Sequence, residues 1–379
     1  MADCDAETLA MLQLCLCEGL GPRSIHRLLR HFGSAEAVLA AGPAARAAVE
    51  ALPPKAASAL NAASLRGEAE TEIERARSAD VELLAVSSPD YPTPLRYLEE
   101  EAPPLLWVMG RWQRRDQLAV AVVGSRRCSA YGRTQARRFA GGLAAMGFTI
   151  VSGLARGIDS EAHRAALRAG GRTIAVLGCG LGALTSRDDV ELAEWISDNG
   201  AVLSELPMTT PPRPANFPPR NRLLSGLSLG VLVVEAATRS GSLITARWAG
   251  EQGKSVFAVP GPVDCPTSGG PHALIRDGAI LVQQPREVVE SLGPLTEPIE
   301  VSSDIAAEAG QAEFVEDPRV LALSKREREL YDHLGSAPLQ IDQVIDATGL
   351  APSIVSSILL TLEIRGLVKQ IPGHRYVRG

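Results

Sequence analysis

The sequence predicts an α/β protein: a parallel sheet covered by helices, set between an N-terminal helical module and a C-terminal winged helix. Three observations carry this. From Val81 onward, short apolar β-rich runs alternate with helix-like stretches, the pattern of parallel strands buried on both faces. Before Val81 the apolar residues recur at helical spacing. The last 56 residues read as three helices followed by a hairpin. A chain of 379 residues, 45% hydrophobic and 22% charged, has room for two or three domains and can bury a core without disulfides or metals.

In order along the chain, residues 1–80 form the helical module. Leu9, Leu12 and Leu16 share one helix face, as do Ile25, Leu28, Leu29 and Phe32. Gly19-Leu20-Gly21-Pro22 makes the turn between the two helices, with Pro22 at a helix start. Such a G-x-G hairpin can turn backbone N–H groups toward phosphate, although an ordinary helical hairpin has the same signature. Residues 81–290 form the sheet domain, with strands at Leu118–Val123, Phe148–Val151, Thr173–Leu177, Ala201–Leu203, Gly230–Glu235, Ser255–Val259 and Ala279–Val282. Ligands of such sheets bind beyond the carboxyl ends of the strands, which here carry Gly124, Gly153, Gly178, Glu205, Ala236 and Gly261. Residues 291–323 are acidic and aperiodic and read as a flexible linker. Residues 324–379 contain helices at Lys325–Leu334, Ile341–Thr348 and Pro352–Arg365, then a short hairpin through Gly373. The outward face of the third helix carries Ser353, Ser356, Ser357 and Thr361. A helix that reads the major groove usually presents Arg, Lys, Asn or Gln, so a protein-contact or accessory DNA role is expected of this domain.

Composition narrows the function. The six cysteines form no C-x-x-C pair. Cys15, Cys17, His26 and His31 come nearest to a zinc set, but two residues apart on a helix Cys15 and Cys17 face different ways, so no metal is expected. With no basic segment leading into an apolar run, and no apolar run of membrane-spanning length, a cytoplasmic protein with no membrane partner is expected. The net charge of −6 conceals an uneven distribution: residues 121–290 hold 18 basic and 14 acidic side chains. No acid occurs from Gln117 to Ile158, a stretch holding Arg126, Arg127, Arg133, Arg137, Arg138 and Arg156, nor from Leu206 to Val234, which holds Arg213, Arg220 and Arg222. Brought together, these would make a concentrated positive field.

The motifs sit at the strand ends. Gly178-Cys179-Gly180-Leu181-Gly182-Ala183 fits the dinucleotide fingerprint, with Glu205 at a later strand end. It follows the third strand of the sheet rather than the first, and Asp188, Asp189 and Glu191 open the next helix, where they would repel a diphosphate. No nucleotide or other cofactor is therefore expected. The first strand opens instead into Gly124-Ser125-Arg126-Arg127, where a close-approach glycine, a hydroxyl and a forked cation before a helix suit an oxyanion. The second opens into Ser152-Gly153-Leu154-Ala155-Arg156-Gly157-Ile158-Asp159, with Asp159 expected to cap the next helix. Asn216-Phe217-Pro218-Pro219-Arg220-Asn221-Arg222 reads as a proline-stiffened loop presenting an aromatic among arginines, suited to base stacking with phosphate contact; the alternative is a buried Phe217 plug. Ser240-Gly241-Ser242 is a further small-residue turn at a helix start.

Together these residues resemble the DNA-processing protein A family (DprA, also called Smf). The resemblance is strongest from Tyr91-Pro92 to Gly278-Ala279. It is carried by Gly124-Ser125-Arg126, the run Ser152 to Asp159, Phe217-Pro218-Pro219-Arg220-Asn221-Arg222, Val234-Glu235-Ala236, Ser240 to Ala246 and Val259-Pro260-Gly261. It implies an extended Rossmann-like sheet with an N-terminal helix-hairpin-helix (SAM-like) module and a winged helix. It further implies a homodimer that binds single-stranded DNA without sequence preference and loads a RecA-type recombinase onto incoming DNA in natural transformation; a binder rather than an enzyme is expected. Carried over by position, the DNA contacts are Gly124, Ser125, Arg126, Phe217, Arg220, Asn221, Ser240, Gly241 and Ser242. Charge and location add Arg127, Gly153, Arg156 and Arg222. The chain departs from the family pattern after Leu181, where a Tyr-Pro and an Asn are usual, and at His272, where Asn is usual.

Two other functions compete. Rossmann-like phosphoribohydrolases carry P-G-G-x-G-T-x-x-E; aligning Gly241-Ser242 with its Gly-Thr puts Thr245 where the catalytic Glu belongs, so the usual carboxylate is missing. A duplex-binding regulator would act through the winged helix.

Overall fold

The computed structural model describes residues 5–49, 60, 62–293, 325–334, 339–350, 352–364, 367–371 and 375–378. The expected linker at 291–323 lies outside the described residues except for its first three. Helices α1 (Ala6–Leu16), α2 (Pro22–Phe32), α3 (Ala35–Ala40), α4 (Pro43–Ala47) and α5 (Ala62–Ser78) open the chain. Asp5 caps α1 by accepting the Thr8 N–H at 2.7 Å, and Gly33, at φ +88°, ends α2 where a side chain would be strained. Met11, Leu12, Leu14, Ile25 and Leu28 are buried, with Leu9, Leu16, Leu29 and Phe32 partly so.

The central sheet comprises β1 (Val81–Ala85), β2 (Leu105–Gly110), β3 (Ala119–Val123), β4 (Thr149–Ser152), β5 (Thr173–Val176), β6 (Gly200–Ser204), β7 (Gly230–Val233), β8 (Ser255–Ala258) and β9 (Ile280–Leu281), ordered β1-β2-β6-β5-β4-β3-β7-β8-β9. Strands β6 through β9 pair in parallel. The expected parallel core is therefore present, and the first two strands are antiparallel additions at one edge of it. Neither β1 nor β2 is among the strands expected from the sequence. Between the strands lie α6 (Thr93–Arg96), α7 (Ala130–Ala145), α8 (Ile158–Arg168), α9 (Arg187–Asn199), α10 (Phe217–Gly226), α11 (Ser242–Glu251), α12 (Gly269–Arg276) and α13 (Pro285–Ser291).

The period-2 alternation of buried strands divides the core. Val120 and Val122 face α7 and α8, packing with Phe139, Leu143, Ile158 and Ala162. Ala119, Ala121 and Val123 face α10 and α11, packing with Leu223, Leu224, Ala246 and Ala249. The N-terminal helices share a third cluster with α9, Trp107 and Val202 at the β2–β6 end. Among the described C-terminal residues, α14 (Lys325–His333), α15 (Ile341–Thr348) and α16 (Pro352–Ile364) accompany a sheet ordered β10 (Leu339–Gln340), β12 (Arg375–Arg378), β11 (Val368–Ile371). Val355, Leu359 and Leu362 are buried there with Leu330, while Ser356 and Ser357 are exposed. Helix, helix, helix and wing is the winged-helix order. No helix among the described residues is long and apolar enough to cross a membrane.

Candidate nucleic-acid interface

The chain runs from β3 outward through β4, β5 and β6, then returns across β3 to β7 and continues to β9. The connections leaving β3 and β7 therefore diverge, opening a crevice at their carboxyl ends, the usual ligand position of such a sheet. The segment that returns from β6 to β7 carries α10 over that crevice.

Its floor is made of glycines because neighbours leave no room for a β-carbon. At Gly124 a Cβ would lie 2.6 Å from Ile158 and 2.8 Å from the Glu235 carbonyl oxygen. Ser125 donates its N–H to that carbonyl at 2.6 Å, and its Oγ accepts the Arg127 N–H at 3.1 Å, fixing the turn. The next loop is laced to the first: Ile158 N–H donates to the Ser125 carbonyl at 3.2 Å, and Gly157, at φ +90°, packs against the Ser125 and Arg126 backbone. Leu154 holds a left-handed φ of +55° within it, a conformation a bulky residue adopts only when its surroundings impose it. The side chains of Arg126, Arg127 and Arg156 are exposed along this rim.

Phe217 is half-buried at the start of α10, with its ring 2.8 Å from where a Cβ on Gly178 would stand. The Arg126 guanidinium carbon lies 4.9 Å from the ring centroid, and that of Arg220 lies 5.8 Å away, both within cation–π range. The two acid-free stretches thus meet here. Arg220 lies over Gly153, is 3% exposed, and donates through Nη1 to the Val176 carbonyl; its buried Nε has no hydrogen-bond partner among the described residues. Burial lowers its pKa to about 10, which leaves it charged at neutral pH. Asn221 donates through Nδ2 to the Gly241 carbonyl at 3.1 Å, and the Ser240 and Ser242 hydroxyls are 2.7 Å apart. This amide ties the Ser240–Ser242 turn to α10.

Three carboxylates lie near the crevice, and each is engaged. Glu235 is 2% exposed and accepts both the Ser129 N–H, at 2.9 Å, and the Ser129 hydroxyl. Ser129 caps α7. The expected anion position at the start of that helix is thus filled by the protein's own carboxylate, and Ser125 and Arg126 are left to face a ligand. Asp159 does not cap α8; Gly157 does, and Asp159 reaches back from the first turn to accept the Gly153 N–H at 3.2 Å. Burial raises its pKa to about 6, opposed by Arg220 and by N–H groups of Ala155, Gly153 and Gly124. Lowering the pH through 6 therefore neutralises a negative charge beneath the arginines. Anion affinity should rise between pH 7.5 and 5.5, and Asp159→Asn should abolish most of that rise. An anisotropy titration with a single-stranded oligonucleotide at both pH values checks this; an equal rise in the variant would assign it to other groups.

The third carboxylate corrects a site assignment. Arg222 is 5% exposed and grips Glu205 through Nη1 and Nη2 at 2.7 and 2.6 Å, so it is a buried structural residue and not part of the rim. The expected loop at 216–222 is the first turns of α10, with Pro218 and Pro219 in its N-terminal turn, where proline is tolerated. Residues two apart on a helix project to nearly opposite sides, so Arg220 meets Phe217 and Arg222 meets Glu205. Of the remaining predicted residues, Gly124, Ser125, Arg126, Arg127, Arg156, Phe217, Ser240, Gly241 and Ser242 are at least partly accessible, while Gly153, Arg220 and Asn221 form the buried bed. Gly178 belongs to this bed, although its motif suggests a dinucleotide. Gly180 of the same motif packs against the Pro207 and Met208 backbone. His272 is hydrogen-bonded to the Gly261 carbonyl through Nε2 at 3.1 Å.

Residues 82–293 match the family model described as DNA recombination-mediator protein A. Residues 5–79 match a DprA-like N-terminal HHH domain, and 316–374 a DprA winged helix domain. The chain is 44% identical over 298 residues to Protein Smf of Escherichia coli (strain K12), covering 78% of this chain and 77% of that one. It is 34% identical over 385 residues to Protein Smf of Synechocystis, covering 95% and 96%. The crystal structure of DNA processing protein A from Streptococcus pneumoniae is similar at a TM-score of 0.67 and 33% identity, over 74% of this chain and 97% of that one.

Proposed function

Because the chain belongs to the DNA recombination-mediator protein A family, we propose that it binds single-stranded DNA without sequence preference in the crevice beyond β3 and β7. The observation that carries this reading is the meeting of Phe217, packed against Gly178, with the Arg126 guanidinium 4.9 Å from its ring centroid, and with further exposed arginines along the same rim. An aromatic face and a planar cation accept any base, and the glycine-floored loops let a phosphate backbone approach closely. Nothing in this arrangement reads base edges. The DNA contacts are Gly124, Ser125, Arg126, Arg127, Arg156, Phe217 and the Ser240–Ser242 turn, with Arg220 supplying charge from beneath.

The protein acts without catalysis in this reading. Thr245, where a hydrolase would need its carboxylate, is 1% exposed, and Asp159, Glu205 and Glu235 are each held by protein partners. Its finer role is to load a RecA-type recombinase onto incoming DNA, as a homodimer in the cytoplasm, in natural transformation. Stimulation of strand exchange by a RecA-type recombinase tests that role.

The binding test is an anisotropy titration of single-stranded and duplex oligonucleotides across ionic strength. Single strands should bind more tightly, with a log–log salt slope near −0.7 per phosphate neutralised, roughly −3 for about four contacts. Deleting residues 291–379 should leave most of that affinity intact. Equal binding of duplex, or loss of binding on the deletion, favours the winged-helix regulator instead.

A further inference from the structure

On the side of α10 turned from Phe217, a chain of charges connects the N-terminal module to that helix. Besides Glu205, Arg222 donates through Nε to the Glu101 carbonyl at 2.9 Å and through Nη1 to the Pro219 carbonyl at 2.8 Å. Its Nε also lies 3.8 Å from the Glu101 carboxylate. That carboxylate accepts Nη2 of Arg23 on α2. On the same helix, Arg27 and Arg30 meet Glu100 at 3.4 and 3.0 Å, and His26 Nε2 is 2.9 Å from the Ala102 carbonyl. Glu99–Glu101 is a single tight turn, entered through Glu99 at φ +52°. A non-glycine residue keeps that backbone only where its neighbours hold it.

We infer that Glu101 and Arg222 are positioning residues through which docking of the N-terminal module sets the affinity of the crevice for single-stranded nucleic acid. This rests on the function proposed above. Glu101 is the joint: its carboxylate accepts from Arg23 of α2, while its backbone carbonyl accepts from Arg222 of α10, whose Nε lies 3.8 Å from the same carboxylate. Helix α10 is only 10 residues long. Its far end is fixed, since Lys254 Nζ donates to the Ser225 and Gly226 carbonyls at 2.7 and 2.6 Å. A shift imposed at Arg222 is therefore expressed at the other end, where Phe217 and Arg220 lie. Those side chains sit against Gly178 and Gly153 with no slack for a methyl group, so a small tilt changes how the ring and guanidinium present themselves. The linkage has a stiff end and a soft end. Arg222 and Glu205 are 5% and 13% exposed, whereas Arg23 and Arg30 are 67% and 68% exposed. Exposed ion pairs are weak and screened by salt, so a polyanion or an acidic partner competing for the α2 arginines would loosen the joint. If the arginines merely cemented the two parts together, undocking them would leave α10 unchanged.

The test uses the full chain with Glu101→Gln and, separately, the surface triple variant Arg23→Ala/Arg27→Ala/Arg30→Ala. Three quantities are read: affinity for a labelled oligothymidylate at two salt concentrations, amide hydrogen exchange across 217–226 without DNA, and thermal unfolding. Both variants should lose about five- to tenfold in affinity, keep the wild-type salt slope, and exchange faster across 217–226. If Glu101→Gln does not fold, the triple variant decides, since its side chains are on the surface. Unchanged affinity and unchanged exchange overturn the inference. So does a slope that flattens by about 0.7 per arginine removed, which would place those arginines directly on phosphates. If the wild type binds no single-stranded DNA, the proposed function fails, while hydrogen exchange still judges the coupling.

Discussion

Arg126→Ala will weaken single-stranded DNA binding by about 1.5–3 kcal/mol, roughly ten- to 150-fold, the range for hydrogen bonds to a charged group. The loss should be alike for oligothymidylate, oligoadenylate and mixed sequences, because a guanidinium on a backbone carries no base information. The salt slope should flatten by about 0.7, one phosphate contact. Stability should hardly change, because the side chain is exposed and its contact within the protein is the Phe217 ring at 4.9 Å. Phe217→Ala is the companion experiment. It should cost about 1–3 kcal/mol if one base stacks there and leave the slope unaltered, since no charge is removed. Sequence-dependent losses for Arg126→Ala, or an unchanged slope, would rule out a backbone contact by this residue.

Arg222→Ala should act in the opposite sense, on stability first. Removing it leaves Glu205 charged at a site where the two side chains are 5% and 13% exposed. Breaking such a pair typically costs about 3–5 kcal/mol. Urea denaturation should show a lower midpoint with an unchanged m-value. Adding Glu205→Gln to Arg222→Ala should recover part of the loss, because the stranded charge is then gone. A cost below about 1 kcal/mol, the value of an exposed pair, would mean that Glu205 reaches water and that the pair is not a buried one.

The contrast between Arg220 and Arg222 marks where sequence reading stops. They stand two apart in one basic, proline-rich run, and in that run they look equivalent. Read as a loop, the run offers both to a ligand; folded as a helix, it sends them to opposite sides. Pro218 and Pro219 permit either reading, and only the packing of α10 against β5 and α11 selects one. The carboxylates behave alike. That Glu235 would fill the start of α7, or that Asp159 would reach back to Gly153, depends on partners 106 and 6 residues away, respectively.

What the sequence determined by itself is everything with a local period or a local shape. The apolar runs specified the strands of the parallel core, because a strand buried on both faces has no polar position to interrupt it. Helical spacing specified the N-terminal module. Glycines at strand ends, followed by Ser125-Arg126 and by Arg156, marked the rim, because close backbone approach and exposed charge are written in single residues. Tertiary structure alone decided which of those charges remain available. It placed two antiparallel strands on the sheet edge, put Gly178 beneath Phe217, brought Arg126 over that ring and withdrew Arg222 into a pair with Glu205. Whether a charge meets water, a ligand or another charge depends on the distances between residues far apart in the chain, and no local pattern encodes those.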